Sequence, residues 1–177
     1  SEMCIRDSFD LDILCTAQIA GELAWYEQDE RHYFQKHVIG SNLAGANSVS
    51  AADLDRDGDT DLISTARDAD LVQWWENNGF GIFTDFILSD SLNGVENAFP
   101  VDLNDDGDLD IVAVSFLGNE IRWWENGGHQ NFAGRIALTG ISSPVNASAA
   151  DFDGDGFLDL ATAAYGDHEV AWWENQQ

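Results

Sequence analysis

Positive charge is what this chain lacks most. Seven Lys and Arg stand against 33 Asp and Glu, a formal net charge of −26. Phosphate backbones and anionic membrane surfaces are gripped by Lys and Arg, so no nucleic acid and no acidic membrane is expected as a partner. Cations, basic proteins and neutral glycans stay open. Cysteine is nearly missing: Cys4 and Cys15 are too few for a disulfide framework. No apolar run reaches the roughly 18 residues of a spanning helix, so no membrane insertion is expected. The N-terminus lacks the basic-then-apolar layout of a signal peptide. Helical periodicity is missing as well. No His-Ser-Asp set, paired metal-binding His or Gly-rich phosphate loop is discernible, and His32, His37, His129 and His168 fall at unrelated positions. The expectation is a protein that is not an enzyme.

What is present is bulk for burial. Hydrophobic residues make up 44 % of the 177, with seven Trp and ten Phe, so the chain is not a disordered acidic tail. It is organised by a repeat. Trp74-Trp75-Glu76-Asn77 recurs at Trp123-Trp124-Glu125-Asn126 and Trp172-Trp173-Glu174-Asn175, a step of 49 residues, with Trp25-Tyr26-Glu27-Gln28 as a weaker copy. Phe34, Phe83 and Phe132 keep the same step. Each unit holds short runs rich in β-branched and aromatic residues, parted by Gly, Asn and Asp. Four strands in a unit of this size is a propeller blade. The fold expected is therefore all-β, with blades of four-stranded antiparallel sheets. Residues 1–8 are read as a non-repeat leader, artefactual in origin. A partial blade follows over 9–45, blades over 46–95 and 96–144, and a partial blade over 145–177. About 3.5 blades should not close a ring, so the chain is expected to be covalently continuous with further blades.

Blade sheets are covered on both faces, so the second strand should be apolar on both sides, as in Ile111-Val112-Ala113-Val114. Cys15 aligns with Ser64, Ala113 and Thr162 and is expected to be an inert buried thiol. Adjacent Trp side chains point to opposite faces, so each pair should pack against both neighbouring blades rather than bind sugar. Glu76, Glu125 and Glu174 are expected to satisfy backbone donors at a strand end. Asn146-Ala147-Ser148 forms a glycosylation sequon.

Each complete unit carries one acidic loop. They run Asp53-Leu54-Asp55-Arg56-Asp57-Gly58-Asp59-Thr60-Asp61, Asp102-Leu103-Asn104-Asp105-Asp106-Gly107-Asp108-Leu109-Asp110 and Asp151-Phe152-Asp153-Gly154-Asp155-Gly156-Phe157-Leu158-Asp159. Oxygen side chains occupy positions 1, 3, 5 and 9 of all three. Position 6 is always Gly, as a sharp reversal with unusual φ and ψ requires. Position 7 is Asp59, Asp108 and Phe157, so it should ligate through its backbone carbonyl. Position 4 should face solvent. Apolar positions 2 and 10 should anchor the loop onto its own blade. Gathered around one point at about 4 Å, each like-charged pair costs about 4 kcal/mol at an effective dielectric of about 20, which a divalent cation relieves. Hard oxygens in a flexible loop suit calcium, at about three sites; magnesium prefers rigid hydrated sites, and zinc lacks His or Cys here. Solvated acidic turns are the plain alternative. An EF-hand is disfavoured, because position 12 is Ser64, Ala113 or Thr162 and the flanks read as strands. The first copy keeps only Asp10 and Asp12 and should bind no metal.

On the Asp loop, the Leu or Ile strand after it and the Trp-Trp-Glu-Asn block, residues 9–177 resemble the FG-GAP/VCBS class of repeats, found in integrin α-subunit propellers and in secreted bacterial proteins. The literal Phe-Gly and Gly-Ala-Pro signatures are missing, so the likeness is to the VCBS-like branch. The resemblance implies a seven-bladed propeller, calcium between the first two strands of each blade, and an extracellular or cell-surface role in adhesion or binding of a protein or glycan ligand. A lectin or an accessory domain of a polysaccharide-active enzyme is the competing implication.

Overall fold

The computed structural model describes residues 12–128 and 131–175. The leader 1–8 with Cys4, then Phe9, Asp10 and His129, lie outside the described residues.

Fourteen strands form four antiparallel sheets, each a simple meander. The first holds β1 (Ile13–Ala17), β2 (Glu22–Gln28) and β3 (Phe34–Ser41). The second holds β4 (Ala46–Ala52), β5 (Asp61–Ala66), β6 (Leu71–Asn77) and β7 (Phe83–Ser89). The third holds β8 (Val95–Val101), β9 (Asp110–Ser115), β10 (Glu120–Asn126) and β11 (Phe132–Thr139). The fourth holds β12 (Pro144–Ala150), β13 (Asp159–Ala164) and β14 (Glu169–Trp173). A single 3-10 turn, Arg67–Ala69, is the only helical piece among the described residues. The array is that of blades in an open, unclosed propeller, and each acidic loop joins the first two strands of its sheet.

The core lies between sheets. Leu23, Leu62 and Trp75 pack the first interface, Leu54, Trp74, Ile111 and Trp124 the second, and Leu103, Val112 and Leu160 the third. The two members of each Trp pair thus serve opposite faces. Trp74 looks toward the third sheet and Trp75 toward the first, as period-two alternation requires. All of β5 and all of β9 are buried, because each has a sheet on either side.

Three expectations change where a face has no covering sheet among the described residues. Cys15 is exposed rather than buried, because β1 lies in the first sheet. Trp172 is 48 % exposed and Phe152 47 %. Phe152 also corrects the anchoring rule. Position 2 of a loop packs into the following blade, as Leu54 and Leu103 do, while position 10 packs against the preceding one. The loop is therefore pinned across an interface and not onto its own sheet.

Polar side chains of the first strands tie blades together. Ser48 Oγ donates to Asn97 Oδ1 (2.8 Å), and Asn97 Nδ2 donates to Asn146 Oδ1 (2.9 Å), a relay across three sheets. Asn47 Nδ2 donates to the Glu96 carbonyl (2.7 Å). Register shifts between Ala46/Ser48, Val95/Asn97 and Pro144/Asn146 mark a bulge at the same place in each first strand. Asn97→Ala removes both relay bonds and is expected to lower unfolding free energy by about 1.5 kcal/mol. Urea denaturation measures it, and a loss no larger than that of Ser48→Ala would show that the relay carries no coupling.

Candidate metal-binding loops

The three loops share one backbone path, built by short Asp side chains that accept from N–H groups two to five residues on. In the first, Asp53 Oδ2 accepts from Gly58 N–H (3.1 Å), Asp55 Oδ1 from Asp57 (3.2 Å) and Asp57 Oδ1 from Asp59 (2.9 Å). The second repeats this through Asp102 with Gly107 (2.9 Å), Asn104 with Asp106 (3.2 Å) and Asp106 with Asp108 (2.8 Å). The third does so through Asp151 with Gly156 (3.1 Å), Asp153 with Asp155 (3.0 Å) and Asp155 with Phe157 (2.9 Å). Gly58, Gly107 and Gly156 hold φ of 96°, 89° and 99°, a conformation that a Cβ disfavours.

This path turns carboxylates inward. Oxygens of Asp53, Asp55 and Asp57 lie within 4.8 Å of one another, as do those of Asp151, Asp153 and Asp159. The second loop has Asn104 in place of one acid. Asp53 Oδ1 is buried and has no hydrogen-bond partner, an orphaned anionic oxygen of the kind a cation satisfies. Burial first, then the charges of Asp57 and Asp53, push the Asp55 carboxyl above the usual carboxylate range, against the hydrogen bond from Asp57. The clustered oxygens of the first and third loops are a hard-donor set that could hold a metal ion.

Position 9 makes a further set of contacts, and in the third loop Asp159 also belongs to the converging cluster. Asp61, Asp110 and Asp159 are fully buried. Asp61 accepts from Leu54 N–H (3.2 Å) and Asn77 N–H (2.8 Å), Asp110 from Leu103 (3.1 Å) and Asn126 (2.8 Å), and Asp159 from Phe152 (3.0 Å) and Asn175 (2.8 Å). Asp12, in the copy without a complete loop, accepts from Gln28 N–H in the same way (3.2 Å). Each of these carboxylates is a strut between the loop and the end of the third strand. Sequence spacing groups it with positions 1, 3 and 5, and nothing in a spacing shows that it also accepts from N–H groups outside the loop.

Burial pushes Asp61 up to about 7 and Asp110 upward, against those N–H bonds. A carboxyl whose folded pKa exceeds its unfolded one binds protons more readily when folded, so stability falls as pH rises between the two values. Metal-free protein is therefore expected to melt higher at pH 5.5 than at pH 8. Calorimetric scans in chelator check this, and a melting point that climbs across that interval would contradict it.

Two features escaped the sequence reading. The Asn that closes each Trp-Trp-Glu-Asn block is a second strut. Asn126 Nδ2 donates to the carbonyls of Leu109 (3.0 Å) and of Leu54 (2.9 Å), the latter in the preceding loop, and its Oδ1 accepts from Gly128 N–H (3.0 Å). Asn175 repeats the bonds to Leu158 (3.1 Å) and Leu103 (3.2 Å). Its recurrence after a buried strand was the available signal. The other feature is a flat group over the first Trp: His37 stacks on Trp25 (4.3 Å), Phe86 on Trp74 (4.9 Å), and the Arg135 guanidinium lies over Trp123 (5.6 Å). His, Phe and Arg share no chemistry that a sequence repeat would display.

One expectation is corrected, at the Glu of the Trp-Trp-Glu-Asn block. Glu125 takes side-chain partners, pairing with Arg135 and Asn104 Nδ2 (3.5 Å), because the following strand brings the Arg135 side chain alongside. Position 4 is exposed in all three loops, and Arg56 in addition bridges to Asp108 Oδ1 of the next loop at 3.0 Å.

The FG-GAP-like repeat family matches residues 10–64, 56–113 and 102–162, three consecutive units. No curated protein matches. Among solved structures, a catalytically inactive virginiamycin B lyase from Staphylococcus aureus, crystallised with quinupristin, aligns at 15 % identity and a TM-score of 0.46. That alignment covers 96 % of this chain and 65 % of the lyase chain, so the chain spans less than two thirds of that protein.

Proposed function

The chain belongs to the FG-GAP-like repeat family, and from that membership we propose that it is a calcium-stabilised binding module of a secreted or cell-surface protein, without catalytic activity of its own. The observation that carries the metal reading is the buried, unpartnered Oδ1 of Asp53 amid the converging oxygens of Asp55 and Asp57. Calcium takes six to eight oxygens in flexible loops. Positions 1, 3 and 5 would supply side chains: Asp53, Asp55 and Asp57, then Asp102, Asn104 and Asp106, then Asp151, Asp153 and Asp155. Position 7 would supply the carbonyl of Asp59, Asp108 or Phe157. Asp61, Asp110 and Asp159 would offer a remaining lone pair while keeping their hold on the backbone.

Bound calcium offsets part of each loop's negative charge and locks the turn between the first two strands of a blade. The adhesive or ligand-binding role rests on the family and on the covered, packed state of most Trp residues, which leaves recognition to the loops and sheet edges. Calcium titration of the folded chain by calorimetry tests the metal reading: uptake at about three sites is expected, and a trace without binding heat on well-folded material would reject it.

A further inference from the structure

We infer that the three loops are graded, with the second (102–110) the weakest calcium site, and that Arg56 of the first loop keeps it so. The inference rests on the calcium reading above and concerns how that reading is distributed along the array.

Two observations, both at Asn104, set the second loop apart. Its position 3 is Asn104, so positions 1, 3, 5 and 9 carry three carboxylates there and four in each of the other loops. The Asn104 amide turns a donor inward, with Nδ2 donating to Asp106 Oδ2 at 2.9 Å, and so occupies an oxygen that a cation would need. Asp102 has both oxygens engaged, Oδ1 by Asp106 N–H (3.2 Å) and Oδ2 by Gly107 N–H (2.9 Å), as Asp151 of the third loop has by Gly154 (2.7 Å) and Gly156 (3.1 Å), so the grading rests on the Asn104 amide and not on position 1. The loop is thus nearly satisfied without metal.

Arg56 adds a cation from outside. Its position in the first loop has φ of 63°, which swings the side chain across the interface between sheets. Nη1 lies 3.0 Å from Asp108 Oδ1. Nη2 sits so close over Gly107 that a Cβ built there would meet it at 3.1 Å. The bridge is half exposed, so it contributes little to stability. Its effect falls instead on the loop's potential, because a fixed positive charge beside the turn opposes entry of a divalent ion. No equivalent arises at the third loop, since position 4 of the second is Asp105. A graded array fills in order: the first and third loops at low calcium, the second only as calcium rises.

The test follows the backbone amides of Gly58, Gly107 and Gly156 by NMR in the labelled chain as calcium chloride is added. Each donates to the position 1 Asp of its own loop, so each reports one site. Gly58 and Gly156 are expected to reach their midpoints at roughly tenfold lower calcium than Gly107, as fewer ligand charges imply. In Arg56→Gln the Gly107 midpoint should fall roughly fivefold with Gly156 unmoved, while Arg56→Lys keeps the weaker midpoint. Asn104→Asp should bring Gly107 toward the other two without touching the first loop. Coincident midpoints in the parent chain overturn the grading. A Gly107 midpoint indifferent to Arg56→Gln overturns the role of Arg56. Amides that do not move at all indict the calcium reading itself, a distinguishable failure.

Discussion

Millimolar calcium is expected to raise the melting temperature of chelator-treated protein by on the order of 15 °C. The loops crowd acidic side chains together. Asp53, Asp55 and Asp57 bring three carboxylate oxygens within 4.8 Å, and the whole sequence carries a net charge of −26 with little basic charge to offset it. A ligand that binds only the folded state stabilises it by about 2.7 kcal/mol when present at about 100 times its dissociation constant. Two well-filled loops and a weaker third therefore contribute about 6 kcal/mol, and for a chain of this length each kcal/mol moves the midpoint by about 2–4 °C. Magnesium at the same concentration should give a much smaller rise, since it sheds water reluctantly and these loops are built on flexible side chains. The measurement is differential scanning calorimetry in excess EDTA and then in excess calcium. Superimposable melts would remove the metal from the account of this fold.

Asp110→Ala is expected to cost about 3 kcal/mol in chelator as well as in calcium. The side chain is fully buried and holds Leu103 N–H and Asn126 N–H, from two different segments. Its removal leaves both donors buried without an acceptor, each at about 1–3 kcal/mol, while relief of the buried charge offsets part of that sum. Asp53→Ala is the informative contrast. Asp53 is partly open to solvent and holds one N–H, so its loss should leave the chelator melt nearly unchanged and reduce the rise on adding calcium. Chemical denaturation of both variants, with and without metal, separates strut from ligand. Equal behaviour of the two in chelator would mean that position 9 is no different from position 1.

The Asp loops themselves were legible because their chemistry is local. Positions 1, 3 and 5 act through N–H groups of the same loop, and position 6 needs a backbone conformation that only Gly adopts readily, so residue types at fixed offsets betray them. Position 9 looked the same in the sequence and carries a second role besides, since it also accepts from the neighbour of position 1 and from an amide 16 residues on. The closing Asn was overlooked for the same reason: one of its partners, Leu54 for Asn126, lies 72 residues away.

By itself, the sequence determined the 49-residue period, the all-β meander and the opposed faces of the Trp pairs, because strand alternation and turn chemistry are short-range and the repeat states them three times over. Tertiary structure alone decided that the core lies between sheets, that position 2 anchors forward and position 10 backward, that Cys15 and Trp172 are open, and that Arg56 leans on the next loop. Those outcomes depend on which sheet stands beside which, and a residue's neighbour across an interface leaves no mark on the spacing within its own strand.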